Sequence, residues 1–143
     1  MDVRTLNKSI IKDTEYVTDK RKARRKKTQE FFTPSSLVER MCDKIDDAIW
    51  KDPSKDFLEP SFGNGNFIIE ILKRKLKYTD WKTALEHIWG VELMEDNVEE
   101  CKERILAYLD LDDEDAIKAK AILDEHLVCS DFFEWDYENW KHK

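Results

Sequence analysis

Cysteine, histidine, glycine and proline are all scarce in this sequence, with three of each in 143 residues. Cys42, Cys101 and Cys129 are odd in number, far apart and set among apolar neighbours. That pattern excludes a disulfide framework and fits buried thiols in a reduced, cytoplasmic protein. His87, His126 and His142 stand near no cysteine pair at zinc-ligand spacing, so no metal site is expected. There is no apolar run of about 18 residues and no signal-peptide core, which argues against membrane insertion and secretion. At this length the chain is one domain at most, large enough to bury a core.

Charge is plentiful but unevenly divided. Residues 1–27 hold ten Lys/Arg against four Asp/Glu; with a total of −7, the remaining 116 residues carry −13. The densest block is Lys20, Arg21, Lys22, Arg24, Arg25, Lys26 and Lys27. Such a block is either an arm for nucleic-acid phosphates or a solvated tail. Lacking a sustained apolar period, residues 1–27 read as a basic N-terminal arm, and residues 28–143 as the folded domain.

From residue 28 onward apolar spacing takes over. Thr33 can cap a helix, and Pro34 suits its first position, where no backbone N–H is required. Leu37, Val38, Met41, Cys42, Ile45, Ala48 and Ile49 then recur on one helical face until Asp52-Pro53-Ser54. Phe57–Glu59 predicts a short strand, residues 66–77 a helix with Phe67, Ile68, Ile71 and Leu72 inward, and Ile88–Glu92 a second strand. Asp96 or Asn97 can cap a third helix carrying Val98, Cys101, Ile105 and Leu109. An acidic loop over 110–115 leads into a short helix through Ala116, Ile117, Ala121 and Ile122, then a third strand over 126–131. Phe132, Phe133, Trp135, Tyr137 and Trp140 crowd the tail. Strands alternating with helices imply parallel pairing through helical crossovers, an α/β fold whose strands end on one common edge.

Two of the three glycines fall in Glu59-Pro60-Ser61-Phe62-Gly63-Asn64-Gly65-Asn66-Phe67, between the first strand and its helix. Glycine serves where backbone must turn sharply or lie against a ligand with no Cβ in the way. The carboxyl edge of a parallel sheet is where such folds bind nucleotide-like cofactors. Each expected strand also ends on an acid: Glu59, Glu92 and Asp131. Ionised carboxylates only accept hydrogen bonds, so three of them along one edge suit a ligand with several donor groups. The plainer alternative is that each acid caps the helix after it.

These segments resemble the S-adenosylmethionine-dependent DNA methyltransferases that modify the exocyclic amino group of adenine, including the modification subunits of restriction systems. The resemblance runs over about residues 28–137. It implies a partial Rossmann-like methyltransferase fold, three parallel strands with flanking helices, S-adenosylmethionine as cofactor and DNA as partner. On this resemblance Phe31, Thr33 and Pro34, in Gln29-Glu30-Phe31-Phe32-Thr33-Pro34, contact the cofactor's methionine part. Glu59, Pro60, Gly63 and Gly65 belong to its cofactor loop. Glu92 takes the ribose hydroxyls, and Asp131 accepts from the adenine amino group with Phe132 against the ring.

The sequence departs from the family at the chemistry. Members carry Asn or Asp followed by Pro-Pro and an aromatic; the side chain and a carbonyl accept from the target amine while the aromatic stacks on the flipped-out base. Pro34, Pro53 and Pro60 never adjoin, so no catalytic residue is assigned. The later strands and the target-recognition region are expected to be missing, which leaves the Phe57-Leu58 edge open. Either a complementary chain supplies strands four onward, or the aromatic tail folds back as a cover. Three functions stand open. One is the S-adenosylmethionine-binding portion of an adenine-specific DNA methyltransferase, completed by another chain or inactive alone. The others are a non-enzymatic S-adenosylmethionine-binding regulatory module and a DNA-binding protein on a relic methyltransferase fold.

Overall fold

The computed structural model describes residues 32–143. Phe31 and the basic block from Lys20 to Lys27 lie outside the described residues. Helices α1 (Ser35–Cys42) and α2 (Asp47–Lys51) lead into β1 (Phe57–Glu59). Then follow α3 (Asn66–Lys75), α4 (Trp81–Glu86), β2 (Ile88–Glu92), α5 (Glu95–Leu109), α6 (Asp113–His126) and β3 (Leu127–Cys129). A 3-10 turn (Phe132–Glu134) and a hairpin of β4 (Trp135–Asp136) and β5 (Lys141–His142) complete the order.

The expected α/β class is what the chain adopts. The three main strands form one parallel sheet in the order β1-β2-β3, with Glu59 opposite Gly90 and Glu92 opposite Cys129. Side chains alternate across a strand, so Phe57, Ile88 and Leu127 share one face. They join the core with Ile68, Ile71, Leu72, Leu85, Val98, Cys101, Ile105, Ala119 and Leu123 from the helices. Leu58, Trp89, Val91 and Val128 lie on the opposite face and take no part in that core. Burying a side chain such as Ile68 or Leu72, each 0% exposed, contributes about 1.5–3 kcal/mol.

The tail answers part of the open-face problem. Trp89 stacks on His126 with ring centroids 3.6 Å apart, and Trp140 meets Trp89 edge-on at 4.9 Å. Trp140 also packs against Trp135 and donates its indole N–H to the Glu125 carbonyl at 2.7 Å. The hairpin therefore closes over the Trp89 face rather than along β1. Leu58 stays 47% exposed, and the outer edge of β1 has no partner strand among the described residues.

Local capping explains where the sequence expectations shift. The single helix expected from Pro34 to Ile49 is two, because Asp46 accepts from the Ala48 N–H at 2.9 Å and starts a new turn. Pro34, not Thr33, is the N-cap of α1, and no side chain caps it. Of the expected face only Val38 and Cys42 are buried; Leu37, Met41, Ala48 and Ile49 are exposed, and Trp50 is buried instead. Helix α4 was not foreseen, although Asp80 caps it through the Thr83 N–H at 2.7 Å. Helix α5 begins after Met94, so neither Asp96 nor Asn97 is its cap. The short helix before β3 runs for 14 residues, with Asp112 capping it through Asp115. Cys42 and Cys101 are buried as expected, but Cys129 is exposed, because it lies at the end of an edge strand. Among the described residues no helix is long and apolar enough to cross a membrane.

Candidate functional site

The turn between β1 and α3 is built on two left-handed glycines. Gly63 has φ +57° and Gly65 φ +101°, a region in which only glycine sits without strain. Space is short as well. A Cβ on Gly63 would lie 3.0 Å from the Phe32 ring, and one on Gly65 would run into the Cys101 sulfur. Just before them Phe62 turns inward, 5% exposed, and its N–H donates to the Val91 carbonyl at 3.2 Å. The third glycine serves this ring, since a Cβ on Gly90 would come 2.7 Å from Phe62.

A small cavity of about 70 Å³ opens beside the turn. It is lined by Phe32, Thr33, Glu59, Ser61, Phe62, Gly63, Asn64, Asn66 and Phe67. The Thr33 carbonyl accepts from the Asn66 side-chain amide at 2.8 Å, which ties the segment before α1 to the start of α3. Burial raises the Glu59 carboxyl above the ordinary glutamate range, partly offset by the Ser61 N–H that donates to it at 3.3 Å.

The other two acids do not line this cavity. Glu92 is 6% exposed. Its Oε1 accepts from the Gly63 N–H at 3.3 Å, and its Oε2 from the Met94 N–H at 2.9 Å and the Asn97 amide at 3.2 Å. Asp131 lies two residues beyond β3, exposed, with Oδ1 accepting from the Phe133 N–H at 2.8 Å. Phe132 is 42% exposed and meets Phe133 edge-on at 4.9 Å.

The residues expected from the sequence thus divide. Thr33, Glu59 and Gly63 converge on the cavity, and Glu92 is coupled to it through Gly63. Gly65 is the N-cap of α3, whereas Pro34, Pro60, Asp131 and Phe132 do not line the cavity. Sequence reasoning passed over Phe32 as a lining residue and over Asn64 and Asn66. Asparagines flanking a glycine read as turn formers, so only their placement beside the cavity reveals them. Both have an Oδ1 that is buried with no hydrogen-bond partner. Among the described residues no cluster of three or more His, Cys, Asp or Glu could hold a metal ion.

A glycine turn at the carboxyl end of β1, with acids ending β1 and β2, is the arrangement that α/β nucleotide-binding folds place at their cofactor edge. Within that class, the family model for N-6 DNA methylase matches residues 13–127. The chain belongs to that family. The match ends before Asp131 and Phe132, and a search of curated proteins gives no match.

Proposed function

We propose that this chain is the S-adenosylmethionine-binding portion of an adenine-specific DNA methyltransferase of the restriction-modification type. The carrying observation is the acceptor-rich cavity at the end of β1. Glu59, Asn64 and Asn66 are among its lining residues, with no lysine, arginine or histidine there among the described residues. Such a wall suits the amino-acid end of the cofactor. At about 70 Å³ it is smaller than the usual 300 Å³ or more of a whole ligand pocket, so the nucleoside would lie along the open edge toward Glu92 and Asp131.

In this reading Glu59 and the Gly63–Gly65 backbone hold the methionine part beside Phe32 and Thr33, and Phe31 and Pro34 are further contacts that the family resemblance implies. Glu92 accepts from the ribose hydroxyls, and Asp131 from the adenine amine with Phe132 on the ring. The bound cofactor supplies an electrophilic methyl group. The residues that would present the DNA amine are not in these 143, where no two prolines adjoin. Methyl transfer then needs a segment from outside these 143 residues, on the same polypeptide or on a complementary chain, to pair with the edge of β1, and the basic block from Lys20 to Lys27 would add phosphate contacts. The same proline pattern favours, as a second reading, a cofactor-binding module that regulates without catalysing.

Calorimetric titration of residues 1–143 with S-adenosylmethionine tests the reading, with Gly63→Val as control. Micromolar binding that disappears in the control supports it. A folded protein that binds nothing overturns it and leaves a relic scaffold, for which salt-dependent DNA binding is the next measurement.

A further inference from the structure

The turn after β3 is held from outside the main sheet. Its own bonds are few: Asp131 Oδ1 accepts from the Phe133 N–H at 2.8 Å, and the Glu134 N–H donates to the Asp131 carbonyl at 3.0 Å. Asp131, Phe132 and Phe133 are all exposed, so burial does not fix them. The hairpin does. Tyr137, on the loop between β4 and β5, donates its hydroxyl to the Phe132 carbonyl at 2.8 Å, with the two rings 5.6 Å apart. Burial, and after it the Asp131 carboxylate, raise the Tyr137 pKa above the usual tyrosine range. The hydroxyl therefore keeps its proton and remains a donor.

The loop that carries Tyr137 is fixed by its own residues. Asp136 accepts from the Glu138 and Asn139 N–H groups, each at 3.1 Å, and from the Asn139 amide at 2.8 Å. Trp140 takes φ +53°, a left-handed backbone that side chains rarely adopt. Its indole offsets that strain: the N–H reaches the Glu125 carbonyl at 2.7 Å, and the ring meets Trp89 and Trp135 edge-on. The hairpin is thus clamped twice, to α6 and β2 through Trp140 and to the turn after β3 through Tyr137.

The two clamps do different things. Trp140 packs beside Trp135, which is 6% exposed, as a covering tail requires. The Tyr137 hydroxyl covers nothing. Its acceptor is an exposed carbonyl that water would satisfy as well, so the bond adds little to stability. What it settles is where Phe132 stands at the sheet edge.

We propose that Tyr137 is a positioning residue, through which the hairpin sets Asp131 and Phe132 at the carboxyl edge of the sheet. For its ligand this deepens the cofactor reading above and rests on it, since there Asp131 and Phe132 meet the adenine ring. Selectivity for adenine over a ring without its amino group then depends on a residue that belongs to neither the glycine turn nor the strand ends.

Tyr137→Phe keeps the ring and removes only the hydroxyl, and two measurements on residues 1–143 separate the parts of the proposal. Amide hydrogen exchange needs no ligand. The Phe133 and Glu134 amides are expected to exchange about fivefold faster in the variant, the worth of one hydrogen bond, with the amides of β2 unchanged. Unchanged exchange in the turn overturns the positioning role, and equal acceleration in β2 overturns it by making Tyr137 a general stabiliser. Calorimetry then compares S-adenosylhomocysteine with S-inosylhomocysteine, in which an oxo group replaces the adenine amine. The variant is expected to bind the first about fivefold more weakly than the parent and the second within about twofold. Equal loss of both, or loss of neither, overturns the role in adenine selectivity. A parent chain that binds neither ligand overturns the cofactor reading itself, while the positioning role is still decided by the exchange rates.

Discussion

Gly63 and Glu92 join the ends of two strands: the glycine N–H donates to Oε1 of the carboxylate at 3.3 Å, while Oε2 holds Met94 and Asn97. Glu92 is therefore a structural hub before it meets any ligand. Removing it takes from three donors an acceptor that is itself only 6% exposed. Glu92→Ala is expected to lower stability by about 2–4 kcal/mol, read as a fall in the urea midpoint. A loss of only a few tenths would show that water replaces the carboxylate and that the hub is unimportant. Any weakening of cofactor binding by this variant must be judged on protein shown to remain folded.

Gly65 gives a second prediction, because its constraint has two separable parts. One is the backbone at φ +101°; the other is the Cys101 sulfur where a Cβ would go. Gly65→Ala is expected to cost about 2–4 kcal/mol, combining strain at a glycine-only conformation with overpacking. Cys101→Ala should recover part of that in the double variant, leaving the backbone part. Strict additivity in chemical denaturation would mean that the two side chains do not meet.

Much of this was legible in advance for a physical reason. The buried parallel strands write themselves as short apolar runs ending in acids, so β1 and β2 appear in the sequence at the bounds they adopt. The glycine turn is equally plain, since both glycines sit at a positive φ that side chains rarely adopt. What stayed hidden depends on neighbours far along the chain. Helix α1 ends at Cys42 because Asp46 starts a new helix, and the apolar period runs through that break unaltered. The hairpin's place over Trp89 comes from ring contacts between residues 37 and 51 positions apart, which no local pattern records. Asn66 ties the turn to the segment before α1 only because the Thr33 carbonyl, 33 positions earlier, accepts from its amide.

Glu59 links stability and binding in opposite directions. Burial raises its folded pKa, so the folded protein favours its protonated form more than the unfolded chain does. Its contribution to stability is present in acid and is lost as pH rises above the ordinary glutamate range of about 4.3. Glu59→Gln removes that loss. The variant is expected to melt higher than the parent at pH 7–8, with the difference closing toward pH 4, and to bind S-adenosylmethionine at least tenfold more weakly. A variant less stable than the parent at neutral pH would mean that the carboxylate supports the turn more than burial penalises it.

His126 carries the opposite sign and a direct optical readout. Burial lowers its pKa, against the pull of the Ile88 carbonyl that its Nδ1 contacts at 3.0 Å and of the Glu125 and Asp56 carboxylates. A histidine whose folded pKa is depressed contributes stability above its unfolded value of about 6.5 and loses it as pH falls through the folded pKa. Stability is therefore expected to decline from pH 7 toward pH 5 through this residue. The ring lies 3.6 Å from that of Trp89, so charging it should also change tryptophan emission before global unfolding. His126→Asn keeps an N–H for the Ile88 carbonyl but neither titrates nor stacks. It should cost about 1 kcal/mol at pH 7.5 for the lost ring contact and flatten the slope between pH 7 and 5 in urea titrations. An unchanged slope would place the acid sensitivity in other groups and leave His126 as packing for the face that the hairpin covers.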